Sequence, residues 1–466
     1  MCGIAAVING SREEAEKMGR AQGRRGYNGV GAEVDNIHVW FTHLPITDPM
    51  APSQPYMAGK WVVWMNGFIS NYQELAQIFK IRMETNCDTE LLAKFIEKFG
   101  CDPEKLLVLN GFFAVFAYDA KEKKHYAFTD RYGIKQLYRY YDASTNKIYF
   151  ASEVKALAAV LPLEISEEGA EDWVYSLGIM NPHTIYEGVT RVECLPFRIP
   201  RTIQVSYSDA KERLSFLLSR SLDRNKHKSL ADGVFLSGGI DSGILSKKLN
   251  PEYCFSMDYQ DNNYSEIENI KRNSSGIHLT MICNEKLFRT FRDPAIEALD
   301  DLKAGSCYTN YALTELAGRH VTILYSGAGG DEVFNGYTHR YARPIGEVIK
   351  RTLVTDDFVP YIHYPEITHK QYDWKFLKSV LVVEDRMAGQ FAIETRYPLL
   401  DNDFVDFALS LPEAYRENKR ILKDISGLDK AVIEGKKRGF SNPYCTNFQW
   451  ATYALNHKRK YEQQLR

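Results

Sequence analysis

The stretch "GVFLSGGIDSGILSKKL", residues 233–249, decides how the second half of this chain folds. An apolar strand runs into Ser237-Gly238-Gly239-Ile240-Asp241-Ser242, and a helix follows. Glycines let the backbone turn tightly and come close to a ligand. Backbone N–H groups in such a turn, with the positive end of the next helix, form a cradle for phosphate or an oxyanion. Ser237 and Ser242 add hydroxyl donors, and Asp241 suits a site where a cation sits between protein and phosphate. Mg²⁺ takes carboxylate and phosphate oxygens together, so Asp241 is a candidate magnesium ligand. The lysine of the GxxxxGK[ST] loop is absent. A second loop, "VTILYSGAGGDEVFNGY" (321–337), repeats the logic, ending in Asp331-Glu332. Two such strand ends in one parallel sheet would lie together at its carboxyl edge, where Asp241 and Asp331 could share one Mg²⁺.

The surrounding pattern agrees. A helix "SDAKERLSFLLSRSL" (208–222) is followed by the strand runs "GVFL", "YCFSM", "LTMIC" and "VTILYS" at the spacing of a parallel α/β sheet. From about residue 370 the chain reads as mostly helical. The first 150 or so residues read differently. "KWVVWMNG", "GFFAVFAYD", "HYAFTD" and "KIYFASE" are short aromatic or β-branched runs closed by Gly, Asn or Asp. Helical spacing is confined there to "SREEAEKMGRA" and "DTELLAKFIEKFG". An antiparallel layered sheet is expected, with a boundary near "ECLPFRIPRTIQV" (193–205).

Composition narrows the function classes. The 466 residues, 44% hydrophobic and 25% charged, fit a globular protein of two or three domains. A net charge of −2 gives no basic field for nucleic acid or an anionic membrane. No apolar run is long enough to cross a bilayer. The eight cysteines, at 2, 87, 101, 194, 254, 283, 307 and 445, form no Cys-x-x-Cys pair and are too sparse for a disulfide framework. A reducing, cytoplasmic setting is expected.

The opening "MCGIAAV" places a cysteine second. With Met1 removed, the α-amine of Cys2 sits beside its own thiol and can act as its base, the N-terminal nucleophile arrangement. A buried, inert cysteine is the plain alternative.

These residues carry a resemblance. "LSGGIDS" resembles the pyrophosphate loop of ATP pyrophosphatases. "SGAGGDEVFNGY", "AIETRYPLLD" (392–401) and "KKRGFSNP" (436–443) resemble later blocks of the glutamine-dependent asparagine synthetases. "MCGI", "GRRGYNG" (23–29), "NGFISNYQEL" (66–75), "CDTELL" (87–92), "LNGFFAVFAYD" (109–119), "DRYGIKQLY" (130–138) and "ASEVKAL" (151–157) resemble that family's class II glutamine amidotransferase domain. The likeness runs through nearly the whole chain in family order. It implies a four-layer αββα N-terminal-nucleophile sandwich over 2–200 and a parallel-sheet ATP-pyrophosphatase domain with a helical C-terminal part over 207–466.

By the same resemblance, Cys2 attacks the glutamine amide, and Asn66 and Gly67 supply the oxyanion hole. Asp88 holds the substrate α-amine, Arg25 shapes the nucleophile's loop, His43 stands in the glutamine-carboxylate block, and these three with Asn66 and Gly67 form the glutamine-binding set. Ser237, Gly238, Gly239, Asp241 and Ser242 bind ATP phosphates, with Leu236, Met257, Ser326 and Gly327 around the adenosine. Lys419 and Lys437 lie near the departing pyrophosphate. ATP, Mg²⁺, glutamine and a carboxylate such as aspartate are the implied small molecules, with no prosthetic group; a homodimer is suggested.

The sequence departs from the family at four places. His43 replaces an arginine, Phe68 replaces the glutamate of "NGEIYN", Ala328 replaces the glutamate of Ser-Gly-Glu-Gly, and "DLKAGSCYTNYAL" (301–313) lacks an arginine for an aspartate side chain. Ala328 and the missing arginine leave open the same machinery acting on another carboxylate, including ring closure. Retained Cys2, Asn66, Asp88, Asp241 and Asp331 argue against a non-catalytic nucleotide-binding homologue. The charge balance argues against a nucleic-acid modification enzyme.

Overall fold

The structure is a computed structural model. It describes residues 1–179, 183–260, 265–303, 305, 307–348, 367–435 and 444–465, without the side chains of 461–465. The first half is built on two antiparallel sheets. One has the order β10-β8-β9-β1-β3-β2, from Gly3–Ile8 (β1), Asn28–Val34 (β2), Ile37–His43 (β3), Tyr138–Asp142 (β8), Lys147–Ala151 (β9) and Thr190–Arg191 (β10). The other has the order β4-β5-β6-β7, from Tyr56–Ala58, Trp61–Ile69, Gly111–Asp119 and Lys124–Thr129.

Period-two alternation stacks the sheets. Ile4, Ala6 and Ile8 of β1 meet Val62 and Trp64 of β5 and Ala114 and Phe116 of β6 in one apolar layer. The intervening residues face outward to helices. Ala5 and Val7 pack on helix α1 (Arg12–Ala21), while Val63, Met65, Phe113 and Val115 pack on helix α2 (Asp88–Phe99). Ser11 and Glu14 close α1 with a reciprocal capping box, which is why the helix begins where "SREE" stands. The result is the expected αββα sandwich.

The second half holds a parallel sheet, β13-β12-β11-β14-β15, from Asp232–Phe235 (β11), Tyr253–Tyr259 (β12), Ile277–Cys283 (β13), Ile323–Tyr325 (β14) and Glu394–Arg396 (β15). Helices α3 (Tyr207–Asn225) and α4 (Ile240–Leu249) cover one side through Leu214, Leu218, Ile244 and Leu245. Strand order reverses between β11 and β14, so the two glycine loops leave adjacent strands at the topological switch point.

Helix α5 (His369–Gln390) runs between the halves. Its Leu377 and Leu381 join the core around β11 and β14, while Val382, Val383 and Met387 join a cluster with Tyr138, Ala151 and Trp173 of the first half. Polar pairs complete the seam: Asn110 Nδ2 donates to Asp401 at 2.8 Å, and Arg131 meets Asp406 at 2.7 Å. All eight cysteines are free, and among the described residues no helix is long and apolar enough to cross a membrane.

Candidate functional site

Cys2 stands at the head of β1 on the layer between the two sheets. Its Sγ accepts from the backbone N–H of Leu44 at 3.4 Å. Burial pushes the thiol's pKa up, against the pull of the N-terminal amine and the Leu44 N–H. The cysteine is therefore a thiol that needs a base, and the amine beside it fits. Burial lowers the pKa of the Met1 ammonium to about 5. Met1 itself is buried, with its amine 3.5 Å from the Ile393 carbonyl.

Asn66 lies on the same inter-sheet layer, in register with Ala114. It is fully buried, and among the described residues neither side-chain Nδ2 nor Oδ1 has a hydrogen-bond partner. A buried amide left unmatched in the folded protein is costly, and a ligand oxygen would satisfy it. Gly67 has φ +144°, and a Cβ there would come within 2.1 Å of the Phe112 carbonyl, so no other residue fits.

Asp88 opens α2, accepts from the Ile69 N–H at 2.8 Å, and is pushed up to about 7, chiefly by burial. Glu394 and Arg396 of the other half also act on it. His43, half-buried, has its pKa lowered by burial and then by the N-terminal amine, so it is a neutral ring near the nucleophile.

Arg25, expected in the glutamine-binding set, is held by protein groups. Its Nε donates to the Cys2 carbonyl at 2.7 Å, and its Nη1 to Glu153 at 2.8 Å and Asp385 at 3.1 Å. It fixes the backbone at Cys2. Asp385 on α5 also pairs with Lys135 at 3.1 Å and Arg386 at 2.9 Å. The "DRYGIK" segment sets up Lys135: Asp130 accepts the backbone N–H groups of Phe113, Tyr132, Ile134 and Lys135 at 3.0–3.2 Å, which fixes the turn.

At the sheet's carboxyl edge, Gly239 precedes α4, and its N–H donates to Ser237 Oγ at 3.2 Å. Ser237 and Ser242 hydroxyls lie 2.9 Å apart. The second loop is pressed against the first: a Cβ on Gly327 would meet the Asp241 Cβ and the Ser242 N at 3.0 Å. Leu236, buried, continues from β11, and its N–H donates to the Phe255 carbonyl of β12 at 2.8 Å; Met257 of β12 is half-buried and Ser326 of the second loop is buried.

Lys419 bridges Asp241 and Asp331, at 2.7 Å from the latter. Burial opposes its charge, but the two carboxylates outweigh that and hold the ammonium well above the ordinary lysine range. Two carboxylates within reach of one Nζ are close enough to share one divalent ion with phosphate oxygens, so this donor set fits Mg²⁺. Lys437 lies outside the described residues, as does the rest of 436–443.

Sequence reasoning missed several groups here. Phe68, next after Gly67, lies under the Arg396 guanidinium at 4.1 Å. The Arg396 carbonyl accepts from the Ser326 N–H at 3.0 Å. The strand bearing Asn66 and Gly67 is thus joined to the second glycine loop through Phe68, Arg396 and Ser326. Glu384 of α5 accepts from Ser326 Oγ at 3.0 Å. No local motif marks Glu384, Asp385 or the Phe68–Arg396 contact; the signal is long-range.

Comparison with known proteins agrees with this geometry. A family described as "Glutamine amidotransferase domain" matches residues 1–203, and one described as "Asparagine synthase" matches 213–373 and 363–464. The chain belongs to the glutamine-dependent asparagine synthetase family. That family is one of carbon–nitrogen ligases. A putative glutamine-hydrolyzing asparagine synthetase 2 of Methanocaldococcus jannaschii is 28% identical, over 73% of this chain and 76% of the relative. Asparagine synthetase 1 of Bacillus subtilis is 25% identical over 74% of this chain and 60% of the relative. The mouse asparagine synthetase is 24% identical over 86% and 76%.

Proposed function

We propose that this chain makes an amide in two coupled steps, releasing ammonia from glutamine at Cys2 and attaching it to a carboxylate that ATP has activated. Aspartate, giving asparagine, is the leading acceptor, on the names of the relatives. In the first step, with Met1 removed, the Cys2 amine takes the thiol proton as Sγ attacks the glutamine amide carbon. Asn66 Nδ2 and the Gly67 N–H receive the oxyanion, and Asp88 holds the substrate α-ammonium. Ammonia leaves, and water releases glutamate from the thioester.

A carboxylate is a poor electrophile. In the second step its oxygen attacks the α-phosphorus of ATP, pyrophosphate leaves, and the acyl-adenylate forms. The Ser237–Ser242 loop cradles the phosphates, and Lys419 offsets charge on the leaving pyrophosphate. Mg²⁺ held by Asp241 and Asp331 would supply further charge neutralisation. Ammonia then attacks, and AMP leaves.

The observation that carries this reading is the seating of Phe68 under Arg396, whose carbonyl in turn holds Ser326, so that the strand bearing Asn66 and Gly67 is tied to the second glycine loop. Ammonia is mostly protonated and escapes readily in water, so short, enclosed transfer suits it. Ala328 supports a second reading in which the acceptor is a different carboxylate. The test is pyrophosphate release from ATP and Mg²⁺ with glutamine, across a panel of carboxylates including aspartate. Release dependent on aspartate, with asparagine and AMP accumulating, supports the proposal. Release dependent on another carboxylate moves the acceptor, and no release with any carboxylate refutes the proposal.

A further inference from the structure

Ala328 leaves the Ser-Gly-Ala-Gly turn of the second loop without a carboxylate at that position, yet one reaches the turn from elsewhere. Glu384, on α5, accepts from Ser326 Oγ at 3.0 Å, and the same Oγ accepts from the Ala328 N–H at 3.2 Å. The hydroxyl of Tyr397, just beyond β15, is its other polar neighbour. The residue as a whole is half-buried and its second carboxylate oxygen is enclosed without a hydrogen-bond partner among the described residues, whereas Asp385 beside it is buried and committed to Arg25 and Lys135. Among the described residues no cation pairs with Glu384. Ser326 and Ala328 follow β14 at the switch point, and Gly327 between them touches the first loop. A carboxylate placed at a ligand-binding edge and left without a counter-charge is expensive unless it has work there.

We propose that Glu384 is the proton acceptor for the amine that attacks the activated carboxylate, supplied by helix α5 in place of a carboxylate on the loop. This rests on the two-step reading above. The ammonia lone pair forms the N–C bond, the bond from that carbon to the AMP oxygen breaks, and its electron pair leaves on AMP. One proton passes from the new cationic nitrogen to Glu384. Burial pushes Glu384 up to about 7, which matches a base working near neutral pH. The titratable groups facing it are the Tyr397 phenol and, one residue along its own helix, Asp385.

The test uses the full chain with ATP, Mg²⁺, the acceptor that supports wild-type turnover, and ammonium chloride in place of glutamine. Amide formation and acceptor-dependent ATP–pyrophosphate exchange are both followed from pH 6 to 9. Glu384→Gln is expected to lower amide formation by about 10²-fold or more while exchange falls far less. The wild-type rate, divided by free ammonia, should rise to a plateau through about pH 7; in Glu384→Gln that rise should vanish, and Glu384→Asp should restore part of it. Equal rates in Glu384→Gln and wild type overturn the proposal. So does a parallel fall of exchange and amide formation with an unmoved pH profile, the mark of a residue that only holds Ser326. A wild type that forms no amide with any acceptor overturns the two-step reading, and this proposal with it.

Discussion

Asp385 sits in the half that matches the asparagine synthase family yet is tied through Arg25 to Cys2 of the other half, and Asp385→Asn should reveal the coupling. The buried seam sets three cations, Arg25, Lys135 and Arg386, against three anions, Asp385, Glu153 and Asp300. The cations around it hold Asp385 far below the ordinary carboxylate range despite burial. Asparagine keeps the shape and removes the charge, leaving the seam with one positive charge in excess. Breaking a buried pair in this way costs about 3–5 kcal/mol. At about 2–4 °C per kcal/mol for domains of this size, Tm should fall by about 6–20 °C.

Function should follow stability. Arg25 Nε holds the Cys2 carbonyl at 2.7 Å, and losing Asp385 removes one of the guanidinium's two carboxylate anchors. Glutamate release from glutamine, assayed without ATP well below the variant's Tm, should drop by about tenfold or more, since small misplacements at a reacting centre are amplified. The sign with pH is fixed by the depressed pKa. Asp385 stabilises above its unfolded value, about 3.9, and that contribution is lost as pH falls toward the folded value. The gap in Tm between wild type and Asp385→Asn should therefore narrow on acidification below pH 4. A variant with wild-type Tm and glutaminase rate would refute the reasoning.

Three further outcomes are expected. Asn66→Ala should lower glutaminase kcat by about 10²–10³-fold with little change in KM, because its amide acts on the developing oxyanion. Asp88→Asn should raise KM for glutamine by about 10–100-fold, the loss of a charge-assisted bond, and the wild-type KM should rise as pH falls below about 7, where Asp88 becomes neutral. Lys419→Met should cut acceptor-dependent ATP–pyrophosphate exchange by about 10²-fold or more while ATP-independent glutaminase persists, since Lys419 bridges Asp241 and Asp331 rather than Cys2.

The parts of this fold that announced themselves in sequence are those whose chemistry is local. Strand, glycine turn and helix follow one another within 233–249, so this unit and its place in a parallel sheet could be read directly. Asn66-Gly67 and the "DRYGIK" turn are likewise complete within a few residues. What stayed hidden depends on contacts between positions 58 to 360 apart. Arg25 reads as a loop residue until Asp385 is set against it, and Phe68 reads as a lost glutamate until Arg396 is found over its ring. Glu384 and Asp385 are neighbours in an unremarkable helix. Only packing between the halves turns one toward Ser326 and the other toward Arg25.

The central claim is that one chain moves nitrogen from glutamine to an activated carboxylate. The most direct measurement is to supply glutamine labelled with ¹⁵N in its side-chain amide, with ATP, Mg²⁺ and aspartate, and to follow the label by NMR. The account predicts ¹⁵N in the side-chain amide of asparagine, with pyrophosphate released in step. Label that ends only as free ammonium, with no pyrophosphate released for aspartate or any other carboxylate, would contradict it.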